Sequence, residues 1–471
     1  MNFQKFGLIL GPLLFSVIYF IEGLTNLTDE PRAVLAVTAW VAIWWISEAM
    51  PIPATSLLPV FLLPLTGGTD QETATMAYGD PIVFMYMGGF IIALAIEKWN
   101  LHKRIAMLII ALIGKSCSRI ILALGVATAV LSMWISNAAT ALMMLPIALA
   151  LITEIKEKEL LDEKSFDNFS KGLLLTVAYS ASIGGLATII GSVPNAAFVA
   201  VANNMLDVEI TFADWFVFGL FVTVLLMTFL YFYITKVQFK IAQDKNISSE
   251  FAREQLRELG AMSREETYVL VIFFIIGFMW VFGGLLPWSL SDTTISILGA
   301  SVMFLIPSTN GGRVLEWPDM KKLPWGILLL FGGGLSLAAA FEDSGLASWI
   351  GELLTNLEQF NYLFIIIILT IAILFMTEVM SNTAVSNMLM PISVGLAAGI
   401  GVEPYGIMAI VALASSCAFM LPISTPPNAA VFGSGELKIN DMVKTGLWLN
   451  IFSVVIIVLV VYLLQPILLS F

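Results

Sequence analysis

The stretch Trp134-Ile135-Ser136-Asn137-Ala138-Ala139-Thr140, followed by Pro146, recurs further along the chain as Val379-Met380-Ser381-Asn382-Thr383-Ala384, followed by Pro391. Ser136 and Ser381, Asn137 and Asn382, and Pro146 and Pro391 each stand 245 positions apart. Glu97 and Glu342, eight residues after Gly89 and Gly334, keep the same offset. Agreement in one register over that length identifies an internal duplication. Both copies lie deep in apolar sequence. A Ser-Asn pair is costly in hydrocarbon unless its polar groups find partners, so the two pairs read as halves of one site.

Composition sets the class around that site. Of 471 residues, 59% are hydrophobic and 12% charged, so most of the chain must sit in lipid. The net charge of −12 is carried by short loops and says little about partners; no nucleic-acid partner is expected. Cys117 and Cys417 lie in apolar or membrane-adjacent sequence, without the spacing of a disulfide or redox motif. His102 is the single histidine and falls in a basic stretch, which argues against metal or catalytic chemistry. Lys5 followed by an apolar run over 6–21 lacks a small-residue cleavage site and reads as a retained first span.

Apolar runs near the ~20 residues needed to cross a bilayer fall at 6–22, 32–48, 52–66, 81–97, 170–203, 212–236, 265–286, 291–307, 324–341, 404–433 and 440–468. Two further blocks, 118–154 and 361–400, are interrupted by the Ser-Asn motifs and read as re-entrant hairpins, the polar tips favouring re-entry over an extra pair of crossings. With the N-terminus cytoplasmic, 21 of the 22 lysines and arginines lie inside and only Arg32 outside. The expectation is an all-α polytopic membrane protein with eleven transmembrane helices and two re-entrant hairpins. Its N-terminus is cytoplasmic and its C-terminus extracellular, in the plasma membrane. Each repeat contains five spans and a hairpin. An odd number of crossings inverts the second copy, so the hairpin tips meet near the midplane, the plan of secondary transporters.

A second duplicated element lies inside two of the spans. Gly184-Gly185 through Thr188, Gly191, Ser192, Val193, Pro194 and Asn195 is matched by Met420-Leu421-Pro422-Ile423-Ser424-Thr425-Pro426-Pro427-Asn428. Proline removes an amide donor and glycine permits unusual angles, so both segments should unwind mid-membrane. Such backbone is tolerated where it lines a protein cavity. Its carbonyls suit cations, and freed helix N-termini suit anions.

On these residues the chain resembles the divalent anion:sodium symporter family of di- and tricarboxylate transporters, over nearly its whole length. The paired tips correspond to Ser136-Asn137-Ala138 and Ser381-Asn382-Thr383, and the loops to Val193-Pro194-Asn195 and Thr425-Pro426-Pro427-Asn428. The resemblance implies a homodimer in which a transport domain slides against a scaffold. The scaffold would take 1–117 and 264–359, the transport domain 118–240 and 360–471, with a cytoplasmic amphipathic segment at 241–263. It also implies two cation sites: Asn137 with Ser132, Ile135 and Gly185, and Asn382 with Thr377, Met380 and Ser424. Ser132 and Thr377 again differ by 245. The first tip departs from the family pattern at Ala138, where a threonine hydroxyl is expected.

The chemistry reads independently. A small dicarboxylate presents two planar anionic groups, and Asn137, Asn382, Ser136, Ser381 and Thr383 offer amide and hydroxyl donors. No lysine or arginine lies in either tip or loop. Two buried negative charges without a positive partner are expensive, so mobile cations should share the site, sodium being the candidate coupling ion. Sodium symport and dicarboxylate exchange both stay open, Arg119 and Lys171 being candidate fixed charges in an exchanger. So does a related cargo such as citrate, sulfate or another oxyanion. An intramembrane enzyme or receptor lacks support, since no catalytic dyad, metal-ligand set or sizeable soluble domain is visible, and no organic cofactor is expected. Glu378 reads as a structural carboxylate before a proton carrier. Gly332-Gly333-Gly334 reads as a helix-packing surface and 243–263 as a surface helix on the cytoplasmic face.

Overall fold

The computed structural model describes residues 3–21, 26–241, 250–283, 290–309 and 311–468. The described chain is helical without a strand, its one isolated bridge pairing Pro307 with Arg313. α1 (Phe3–Phe20) and α2 (Asp29–Ser47) pair along their length; Gly7 lies against Ser47, and Trp44 Nε1 donates to the Gly7 carbonyl at 3.1 Å. The apolar run 52–66 is two helices, α3 (Ile52–Thr55) and α4 (Leu58–Thr66), where one span is expected. The break falls at Ser56, whose carbonyl accepts the Tyr78 hydroxyl instead of continuing the helix.

After α5 (Gln71–Met76) comes α6 (Pro81–Lys98), started by Asp80, which accepts from Ile82 N at 2.8 Å. Between the apolar run 81–97 and the block 118–154 lies a further helix, α7 (Leu101–Ile113), entered through the left-handed Asn100 (φ 55°). α8 (Cys117–Ser132) and α9 (Asn137–Glu157) form the arms of the first tip. α10 (Glu163–Gly184) breaks before α11 (Val193–Leu206), and α12 (Phe212–Phe232) follows behind a Thr211–Asp214 capping box.

α13 (Glu250–Glu258) lies in the segment expected at the cytoplasmic surface; residues 242–249 of that segment lie outside the described residues. Its apolar side is turned to protein: Ala252 is fully buried, and Phe251 and Leu256 pack into the core beside α7. Arg104 of α7 ties down the turn after it, donating to the Gly260 carbonyl (3.0 Å) and to Glu266 (2.8 Å).

The second half comprises α14 (Arg264–Phe282), α15 (Asp292–Leu305), α16 (Trp325–Asp343), α17 (Leu346–Leu354), α18 (Tyr362–Thr377), α19 (Asn382–Gly399), α20 (Pro404–Ser415), α21 (Pro426–Phe432) and α22 (Ile439–Leu468). The duplication extends into element boundaries. α7, α8 and α9 start 245 residues before α17, α18 and α19, and α17 too is entered through a left-handed residue, Gly345 (φ 74°). The glycines of α16 serve close packing: Gly332 meets the Tyr78 ring, Gly333 the Ser56 backbone and Gly334 the Asn387 side chain. Six helical segments among the described residues are long and apolar enough to cross a membrane: Gln71–Lys98, Asn137–Glu157, Phe212–Gln238, Arg264–Phe282, Trp325–Asp343 and Ile439–Gln465. His102 is buried against the Ile96 carbonyl (3.3 Å), and burial pushes its imidazole pKa down.

Candidate functional site

Each Ser-Asn pair sits where one helix stops and the next starts. α8 ends at Ser132, Met133–Ser136 turn, and Ser136 caps α9 by accepting from Ala139 N at 3.4 Å. In the second tip α18 ends at Thr377 and α19 begins at Asn382, with Ser381 as N-cap. Both tips thereby present helix N-termini, whose free amides and dipole favour an anion.

Behind each tip an asparagine oxygen meets other oxygens. Ser132 Oγ lies 2.8 Å from Asn137 Oδ1 and 2.6 Å from the Ala181 carbonyl. Thr377 Oγ1 lies 2.6 Å from Asn382 Oδ1 and 2.8 Å from the Ser415 carbonyl. A hydroxyl carries one proton and satisfies one acceptor at a time, so each half holds an oxygen in excess. In the first half Asn137 Oδ1 also faces the Gly191 carbonyl at 3.1 Å and the Ala181 carbonyl at 3.0 Å. Such a set is satisfied by an amide turned to donate or by a cation among the oxygens. Space there depends on glycine: a Cβ on Gly185 would stand 2.3 Å from Asn137 Oδ1, and one on Gly191 would stand 2.6 Å from the Gly185 carbonyl. Turning the Asn137 amide satisfies the first set; the second, where Thr377 Oγ1 faces both Asn382 Oδ1 and the Ser415 carbonyl, keeps an oxygen that could serve a small hard cation.

The interrupted spans unwind as expected and are held by their own asparagines. Asn195 Nδ2 donates to the carbonyls of Gly185 (3.0 Å), Leu186 (3.3 Å) and Thr188 (2.8 Å). Asn428 Nδ2 donates to the carbonyls of Ala418 (3.2 Å) and Leu421 (3.0 Å) and to Ser424 Oγ (3.0 Å). Asn195 and Asn428, Gly185 and Ala418, and Thr188 and Leu421 are each 233 apart, so this part of the duplication runs in a shifted register. Ser192 and Thr425, also 233 apart, are matching extended N-caps (φ −140° and −141°). In the first half Thr188 Oγ1 donates to the Met133 carbonyl and accepts from Gly191 N at 3.0 Å. In the second, buried Glu378 does the fastening. It accepts from the amides of Phe419 (2.8 Å), Met420 (2.9 Å) and Leu421 (3.1 Å) and from Asn450 Nδ2 (2.6 Å). Ser192 Oγ and Ser416 Oγ, 2.8 Å apart, link the halves.

Between the tips lies a cavity of about 600 Å³. Ser136, Asn137, Ala138, Ser381, Asn382, Thr383, Thr425 and Pro426 all line it, with Ser192, Pro194, Met380 and Ser424. The remaining expected residues stand behind this wall: Ser132, Ile135, Gly185, Thr188, Thr377, Asn195 and Asn428 are buried, as is Pro427. Sequence reading missed Ile46, Glu48, Ile52 and Ile327, which also line it, and the carbonyls of Ala181, Gly191 and Ser415 around the asparagine side chains. Among the described residues no lysine or arginine lines the cavity, and Glu48 is its one charged residue.

The family described as "sodium:sulfate symporter transmembrane region" matches residues 4–471. The sodium-dependent dicarboxylate transporter SdcS of Staphylococcus saprophyticus is 42% identical over 476 residues, covering 98% of this chain and 92% of that protein. SdcS of Staphylococcus aureus is 42% identical over 481 residues, covering 99% and 92%. Among solved structures, Neisseria gonorrhoeae MtrF, described as one of a class of antimetabolite efflux pumps, superposes with a TM-score of 0.58 at 11% identity, covering 99% of this chain and 96% of that one. The Alcanivorax borkumensis transporter YdaH gives 0.58 at 13% identity, covering 98% and 97%. At those identities the structural likeness establishes the fold, an all-helical polytopic membrane fold. The match over nearly the whole length establishes more: this chain belongs to the sodium:sulfate symporter family, and is a membrane transporter rather than an enzyme.

Proposed function

We propose that this chain is a sodium-coupled transporter of small dicarboxylates of the succinate, malate, fumarate and 2-oxoglutarate type. The observation that carries the reading is a cavity lined by both Ser-Asn tips and, among the described residues, by no lysine or arginine. Asn137 and Asn382 with Ser136, Ser381, Thr383 and Thr425 supply amide and hydroxyl donors to the two carboxylates. The compensating charge arrives with the cargo. One sodium is held by Asn137 with Ser132, Ile135 and Gly185, another by Asn382 with Thr377, Met380 and Ser424. Ser132 with the Ala181 and Gly191 carbonyls around the Asn137 amide, and Thr377 with the Ser415 carbonyl around Asn382 Oδ1, support both positions. Relatives named as sodium-dependent dicarboxylate transporters support symport over exchange and dicarboxylate over sulfate or citrate.

The architecture we infer is an inverted repeat of eleven spans and two re-entrant hairpins in the plasma membrane, with the N-terminus cytoplasmic and the C-terminus extracellular. The asymmetry of 21 of 22 basic residues supports it. Residues 118–240 and 360–471 form a transport domain that slides as an elevator against a scaffold of 1–117 and 264–359, in a homodimer. Packing of α21 on α9 and α10, and of α22 on α12, supports one moving body drawn from both halves.

Asn382→Ala and Asn137→Ala test the site. Each removes donors to the substrate and an oxygen from a cation site, a loss of about 3 kcal/mol or roughly 100-fold in affinity. Succinate binding to the purified variants should weaken by about that factor while folding and oligomeric state are kept. Binding within about twofold of wild type would remove that tip from the site.

A further inference from the structure

Glu48 is the feature that the proposed site does not use. It is exposed, forms no hydrogen bond or ion pair among the described residues, and is the one charged side chain on the cavity wall. Its backbone is left-handed (φ 47°, ψ 39°) at the C-cap of α2, a position that glycine fills without strain and glutamate does not. The turn that carries it is pinned. Gly7 of α1 lies against Ser47, Ser47 Oγ bonds to the Ile43 carbonyl at 2.6 Å, and Gly326 of α16 abuts Pro53 just beyond. The backbone that carries this carboxylate is thus fixed at the edge of an anion cavity, at the cost of a strained conformation, while the carboxylate itself stays solvated and, among the described residues, unpaired.

From this geometry we infer that Glu48 is an electrostatic positioning residue that attracts sodium to the cavity and weakens its hold on the dianion. The inference rests on the dicarboxylate reading above. Glu48 belongs to the proposed scaffold, at the cytoplasmic end of α2, while the tips belong to the sliding domain. Its field therefore acts on the cargo only when the cavity faces the cytoplasm. There it favours release of the dianion and keeps it from rebinding, and it concentrates the coupling cation.

A fixed potential acts with opposite sign on the two ligands and twice as strongly on the doubly charged one. Removing it should change the dianion constant by about the square of the sodium change, in the opposite direction. For a group near the ligand but in water, that is about twofold for sodium and about fourfold for succinate. The experiment measures half-saturation by succinate, and separately by sodium chloride through thermal stabilisation alone, on the purified full-length protein. It compares wild type with Glu48→Gln, Glu48→Gly and Glu48→Asp, with choline chloride raised from about 0.02 to about 0.5 M. The expected result is tighter succinate and weaker sodium in Glu48→Gln and Glu48→Gly, fading as salt rises, with Glu48→Asp near wild type. Glu48→Gly also relaxes the left-handed position, which separates the charge effect from misfolding. Constants that stay put, move together, or ignore salt would overturn the inference. A wild type that binds no succinate would instead overturn the dicarboxylate reading, and the sodium arm would still decide on Glu48.

Discussion

Glu378 shows how one residue can be read two ways in sequence and one way in structure. An ionisable group three residues before Ser381, at membrane depth, could carry a proton or serve the fold. Four donors converge on its two oxygens, three of them backbone amides freed where the chain unwinds after α20. That is the environment of a carboxylate fastening a loop. Glu378→Gln loses acceptors and adds unpaired donors, so it should lower stability by about 3 kcal/mol, read as a fall in the melting temperature of the purified protein. Unchanged melting would mean that the unwound segment is held by Asn428 alone. At this scale the sequence displayed side chains and hid backbone. The Ser-Asn tips were legible because polar pairs in apolar sequence need a reason. The carbonyls of Ala181, Gly191 and Ser415 were not, since every residue type carries one. Glu48 and Ile327 were hidden for a different reason: single residues at helix ends leave no periodic trace.

Among elements, the duplication is sharper in structure than in sequence. The start sites of α7, α8 and α9 repeat in α17, α18 and α19, although the basic stretch His102-Lys103-Arg104 keeps α7 out of the apolar runs read from sequence. The break between α3 and α4 falls at Thr55-Ser56 just before Pro59, and Tyr78, twenty-two residues after Ser56, satisfies the carbonyl left there. Close helix contacts were silent in the sequence. A Cβ on Gly399 of α19 would stand 2.3 Å from the Gly351 carbonyl of α17, and one on Gly395 would stand 2.5 Å from the Ala347 carbonyl. Backbone cannot move aside as a side-chain tip can, so Gly399→Ala should cost about 2 kcal/mol or more. Gly79→Ala, which meets nothing within 4 Å, should stay within about 0.5 kcal/mol. Equal melting temperatures for the two variants would contradict this packing.

For the whole molecule, composition and basic-residue asymmetry gave the membrane class, and the paired motifs gave a plan with a central site. The family match and the shared helical fold agree with that class. The proposed chemistry follows from a deficit: a cavity for a dianion without a basic side chain must import its positive charge. Labelled succinate uptake into proteoliposomes, with and without an inward sodium gradient and with and without internal dicarboxylate, tests this claim most directly. Uptake that requires sodium and is indifferent to internal dicarboxylate is the predicted result. Uptake that requires internal dicarboxylate and ignores sodium would contradict it, and would mean that a fixed protein charge supplies what we assign to the cation.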